Sequence, residues 1–230
     1  MAINYERNKK YFKKTSVKPG LVMIVLGLLL FGLPGAGKLI AFLLVAAGAA
    51  WLYFQFSGLP TDGDVDNDAL EVVRGLQQQA LTKLGLDADE VTLLEPLIVS
   101  GPFFKTIGSG VQIRMGKDQQ FRASNYEGVV IFFSEHQLHS YKFQFSLTQQ
   151  NERREQTDEY FYRDVVSVST QSQTEPIRDM KGQSRTVNYE EFRLTTSGGT
   201  SVTSAMRTQD ASTGRTLQGA RQLIREKKIV

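Results

Sequence analysis

Between residues 21 and 56 the chain carries one charged side chain, Lys38, and this apolar run limits the fold more than any other feature. A single helix over these 36 residues would be ~54 Å long, against a hydrocarbon core of about 30 Å. The run has to be broken. Leu33-Pro34-Gly35-Ala36-Gly37-Lys38 supplies the break, because proline removes a backbone donor and glycine favours turns. The reading is a transmembrane helical hairpin over residues 20–56, with helices near 20–33 and 39–56. The first is short for a full span, so it draws on residues 17–19 or on a locally thinned bilayer; a re-entrant hairpin is the alternative. Ala46, Ala47, Gly48, Ala49 and Ala50 let another helix approach closely. Trp51 and Tyr53 near one end, with Tyr11 and Phe12 before the other, suit an aromatic belt on one side of the membrane.

The charge distribution sets the orientation. Residues 1–20 hold Arg7, Lys9, Lys10, Lys13, Lys14 and Lys18 against Glu6, whereas residues 57–230 hold 20 basic and 23 acidic side chains, so the pI near 9.0 comes from the N-terminal segment. Lys9, Lys10, Lys13, Lys14 and Lys18 are the expected contacts with an anionic lipid surface, each contributing about 1 kcal/mol there. The positive-inside bias places the N-terminus in the cytoplasm, and two spans return the C-terminal region to the same side of the inner (cytoplasmic) membrane. The rival reading is a secretory signal peptide cleaved near Gly35, Ala36 and Gly37, which would leave the second apolar segment as the sole anchor and put the domain outside. The absence of cysteine excludes disulfides, thiolate metal sites and a cysteine nucleophile.

Beyond the apolar run the sequence reads as soluble. Residues 1–19 are expected as a basic cytoplasmic tail, 57–67 as an acidic turn-rich linker and 68–230 as one α+β domain. A helix over 68–84 follows from the stripe Leu70, Val73, Leu76, Ala80 and Leu84 and from the stop at Gly85. From about residue 97 the period becomes alternating, predicting strands near 111–115, 120–126, 128–134, 138–147, 159–169, 186–196 and 200–206. Polar stretches 148–157 and 171–183 read as long exposed hairpin loops. A last helix over 211–228 presents Leu217, Ala220, Leu223 and Ile224 on one side. The expected fold class is α+β: a two-helix transmembrane hairpin followed by an antiparallel β-barrel or sandwich of about seven strands, capped by the C-terminal helix.

Two segments carry a family likeness. Gly128-Val-Val-Ile-Phe-Phe-Ser134-Glu-His-Gln-Leu138-His-Ser-Tyr141 is similar to the strand–turn–strand of bacterial pleckstrin-homology-like membrane proteins, and Tyr160-Phe-Tyr-Arg-Asp-Val-Val-Ser-Val168 to a later strand. With the order of elements, residues 97–228 resemble that family, although Gln137 stands where its arginine is usual. The resemblance implies lipid-binding, protein-binding or scaffolding roles. A lipid or partner site of the kind some relatives have, in the first hairpin, would use Arg114, Lys117 and Arg122; a solvated strand face is the simpler reading.

Chemistry-bearing motifs are few. Residues 32–38 match the first seven positions of a phosphate-binding G-x-x-x-x-G-K loop, but Leu39 replaces the hydroxyl that would hold Mg²⁺ and the loop joins two apolar segments, so no nucleotide is expected. His136 and His139, three apart on a strand or turn, would not converge on one metal ion. Residues 107–110 lack the spacing of a nucleophile elbow. Asp158, Glu159, Glu190 and Glu191 read as exposed charges. No catalytic residue, metal or cofactor is expected, and nothing but the basic segment would favour nucleic acid. The expected partners are the lipid bilayer and a protein partner or second copy. The alternative is an envelope enzyme or transporter subunit with its site in the soluble domain.

Overall fold

A computed structural model describes residues 3–32, 34–105, 110–180, 182–206 and 211–228. Two compact units make up the chain: one joins Met1–Phe12 to Thr61–Val230, and the other, Lys13–Pro60, is inserted between those segments. Tyr5–Tyr11 forms α1, so part of the expected tail is an ordered helix of the larger unit.

The inserted unit is a pair of helices, α2 (Lys18–Leu30) and α3 (Ala36–Phe56). Pro19 lies in the first turn of α2, where its missing N–H has no helical partner to lose. Gly35, at φ 72°, turns the chain into α3. The helices run antiparallel along a seam of small residues. A Cβ on Gly27 would lie 2.8 Å from the Ala41 carbonyl oxygen, and one on Gly48 2.7 Å from that of Gly20, so the backbones themselves meet and larger residues cannot fit. At 21 residues α3 reaches ~31 Å, enough for a hydrocarbon core; α2, at 13, reaches only ~20 Å. Among the described residues one helix is long and apolar enough to cross a membrane.

The larger unit stacks three layers. Its elements are α4 (Asp62–Leu84), β1 (Leu97–Pro102), β2 (Ile113–Met115), β3 (Phe121–Ala123), β4 (Asn125–Phe133), β5 (Gln137–Ser146), β6 (Arg153–Phe161), β7 (Val165–Arg178), β8 (Ser184–Thr196), β9 (Ser201–Met206) and α5 (Ala211–Lys228). All strand pairing is antiparallel, in sheets ordered β1-β4-β5-β6, β2-β3 and β7-β8-β9. β4 is buried along nearly its whole length because both its faces are covered. Tyr126, Val130 and Phe132 pack on Val65, Ala69 and Leu76 of α4, while Val129, Ile131 and Phe133 join Phe192, Val202, Leu217 and Ile224 from β8, β9 and α5. Gly128 lets the helix settle onto the sheet, since a Cβ there would lie 2.6 Å from Leu76 Cδ1.

The described residues contain nine strands and no closed barrel. Of the expected barrel or sandwich of about seven strands, the barrel is corrected to open antiparallel sheets and the strand count to nine among the described residues. The stretches expected as loops are largely strand: β6 begins at Arg153, and β7 and β8 form one long ribbon closed near residues 179–183. Both ribbons expose polar side chains on either face, which removes the alternation that marks a half-buried strand. Residues 62–67 of the expected acidic linker are likewise the first turns of α4, capped by Thr61 and Asp64.

A charged junction around Arg122 and other candidate sites

β2 and β3 place Arg114 and Arg122 directly opposite each other, so both side chains leave the same face of the hairpin. Like charges so paired repel unless each finds a partner. Arg122, 3% exposed, directs Nε and Nη2 at Asp66 (3.1 and 2.8 Å) and Nη1 and Nη2 at Asp118 (2.9 and 2.8 Å). Its pKa is raised, first by the bond to Asp118, and Asp118 is held well below the usual carboxylate range by the same bond. Arg114 lies 4.5 Å from the centre of the Tyr11 ring and donates to the Tyr11 carbonyl. The Lys117 side chain is exposed, but its backbone N–H donates to Asp62 at 2.7 Å.

The opposite wall is the acidic start of α4. Residues four apart share a helix face: Asp66 bonds Arg122 of the hairpin, Asp64 and Asp68 bond α1, and Asp62 bonds both the hairpin and α1. The Tyr11 hydroxyl donates to Asp62 (2.7 Å), Arg7 to Asp68 (2.6 Å) and Asp64 (3.4 Å), and Asn8 Nδ2 to Asp68 (2.9 Å). Burial, then the bond to Asp62, pushes the Tyr11 hydroxyl pKa up. Burial alone would raise Asp62, but the Tyr11 hydroxyl, the Lys117 N–H and the Arg122 charge together hold it low. Asp64 is lowered by the Thr61 hydroxyl and N–H. The junction therefore ties three segments far apart in sequence. Of the residues expected at a lipid surface, Lys9, Lys10, Lys13, Lys14 and Lys18 are all exposed, with Lys9 paired to Glu6 at 2.7 Å. α1 buries Asn8 and Tyr11 and leaves Lys9 and Lys10 in solvent.

Strand register also assembles a serine, a histidine and an acid that the sequence kept apart. Ser134 Oγ is 3.3 Å from His139 Nε2, and Nδ1 is 3.4 Å from Glu159, the cross-strand partner of His139. The arrangement resembles a hydrolytic triad only in outline. Ser134 donates its proton to the Gln137 carbonyl at 2.9 Å, which makes it a turn residue, and His139 is 4% exposed. His136 is exposed, and no metal-binding cluster occurs among the described residues. Residues 107–109 of the former elbow candidate lie outside the described residues. The phosphate-loop match, apart from Leu33, which is likewise outside the described residues, connects two apolar helices and follows no strand.

Glu191, expected on the surface, is buried between Lys105 (3.4 Å) and Arg193 (3.2 Å). Glu127 is buried too; it accepts from Lys142 (3.1 Å), Gln144 (3.1 Å) and the Ala205 N–H (2.7 Å), fastening β9 to β4. A cavity of about 700 Å³ opens beside β8, walled by Phe104, Phe121, Tyr126, Asn188 and Tyr189 among others. No protein-family model, curated protein or solved structure matches the chain.

Proposed function

We propose that this chain is a membrane-anchored, non-catalytic interaction protein that displays its β-rich unit on the cytoplasmic face of a bacterial inner membrane, to recruit a protein partner or assemble a complex of copies. The observation that carries the reading is where apolar surface lies. Among the described residues, sixteen of the twenty exposed large hydrophobic side chains fall between Val17 and Phe56, with Leu29, Phe42 and Phe54 at 72, 65 and 77%. Soluble proteins rarely expose contiguous apolar surface on this scale, whereas a bilayer covers it. Connectivity adds the topology: the chain leaves the larger unit after Phe12 and rejoins it at Thr61. A folded body cannot be divided by a bilayer, so the inserted pair enters and leaves on one side, and the exposed lysines before α2 mark that side as cytoplasmic. The likeness to pleckstrin-homology-like membrane proteins supports the same role through element order; the open sheets weigh against a strict copy of that fold.

Light scattering and native mass spectrometry of the full chain in mild detergent test the recruiting role. The expected result is a defined complex, of copies or with one stoichiometric partner. A monodisperse monomer that captures nothing contradicts it.

A further inference from the structure

β6 is the last strand of its sheet and pairs with β5 along its whole length, Arg153 to Phe161. Its other edge carries alternate N–H and C=O groups aimed away from the sheet. Three further edge strands have such groups taken up or removed. The Ala205 N–H of β9 donates to Glu127 at 2.7 Å, and the Val168 carbonyl of β7 accepts from Arg221 Nε at 3.1 Å. β1 and β7 also carry Pro102 and Pro176, which have no N–H to offer. β6 has no such device. It contains no proline, and between Arg153 and Tyr160 no backbone group bonds anything but β5 among the described residues. Seven of its nine residues are exposed and the other two half-buried, so this edge is open to solvent.

The charges of β6 are sorted by sign: Arg153 and Arg154 begin the strand, and Asp158 and Glu159 lie toward its end. Charge on an exposed edge ordinarily keeps other strands away. Sorted in this way it also selects one alignment with a copy of itself. We propose that β6 pairs antiparallel with β6 of a second copy, about a two-fold axis at Gln156. Arg153 then lies opposite Glu159 and Arg154 opposite Asp158, each pair occurring twice, with Glu155 against Thr157 and Gln156 against its own copy. Residues directly opposite in an antiparallel pair must match in backbone orientation, so the register can slide only by two. One such slide sets Glu155 against Glu159 and the other sets Glu152 against Asp158, and like charges so placed repel. In-register parallel pairing stacks every charge on itself. Arg154 has no hydrogen-bond or ion-pair partner among the described residues and gains one from the second copy. Two-fold symmetry closes the contact, so pairing stops at two chains. The proposal rests on the recruiting role above and names its partner, a second copy on the same side of the membrane.

The full chain carrying Gln156→Cys, in membranes of the bacteria that express it, tests the axis, because the substitution supplies the protein's one thiol. A short bismaleimide is expected to join two chains, whereas Asp89→Cys, exposed and off the strand, stays uncoupled. Adding Arg154→Glu or Asp158→Arg to Gln156→Cys sets like charges opposite each other twice per dimer and should cut the coupled fraction about tenfold. Both reversals together bring opposite signs back and restore coupling, which separates lost pairing from lost folding. Absence of coupling at Gln156→Cys, equal coupling at Asp89→Cys, or a double reversal without rescue overturns the assignment. A detergent complex that persists undiminished in Arg154→Glu overturns this contact and leaves the recruiting role standing; an unaltered chain that stays monomeric and captures nothing overturns both.

Discussion

Arg122 is an arginine almost wholly withdrawn from solvent, yet its two carboxylate partners differ. The Asp66 side chain is 20% exposed and that of Asp118 41%. A buried pair is weak support for stability, but stranding one member is costly. Asp66→Ala should therefore lower unfolding stability by about 3 kcal/mol, because the guanidinium stays buried with half its partners gone. Arg122→Met should cost clearly less, since both aspartates can turn to water. Urea unfolding followed by near-ultraviolet tyrosine dichroism measures both, and the reverse ranking would contradict the role given to Arg122. In sequence this residue looked like one of three cations on a solvated hairpin. Nothing local distinguishes it from Arg114, because Asp66 lies 56 positions away and only the fold brings it within reach.

At the scale of elements, α1, α4 and the β2–β3 hairpin act as one clasp whose strength depends on pH. The pKa values of Asp62, Asp64 and Asp118 are lower folded than unfolded, so their stabilisation is present above the ordinary value of 3.8 and is lost as pH falls below it. Burial pushes Tyr160, Tyr162 and Tyr189 the other way, from 10.0 up to about 12. Their stabilisation is complete below pH 10.0 and fades as pH rises toward about 12. Tyrosine dichroism should stay flat from about pH 5 to 9 and collapse beyond both limits; a transition near neutrality would show that other groups control the clasp. The elements most legible in sequence were those with a strong period or a hard stop. The helix ending at Gly85, the C-terminal helix and the break at Pro34 and Gly35 all followed from local rules. The first part of β6, the later part of β7 and the start of α4 did not. Their polar residues read as loop or linker, because charges satisfied by remote partners look the same in sequence as charges satisfied by water.

For the whole molecule, sequence separated an apolar insertion from a β-rich body, and the structure adds that the chain on either side of the insertion folds into that body. How the sheets pack was not legible, since it depends on how β9 and β1 meet, and no local pattern encodes that. The proposed function requires the insertion to span the bilayer as a hairpin with the body on the cytoplasmic side. The absence of cysteine makes a direct measurement clean. Single variants Lys10→Cys, Pro34→Cys and Asp89→Cys, all at exposed positions, can be treated in intact bacterial spheroplasts with a membrane-impermeant maleimide. Labelling of Pro34→Cys is expected from outside, and of Lys10→Cys and Asp89→Cys only after lysis. Labelling of Asp89→Cys in intact spheroplasts, or protection of Pro34→Cys, would contradict that topology.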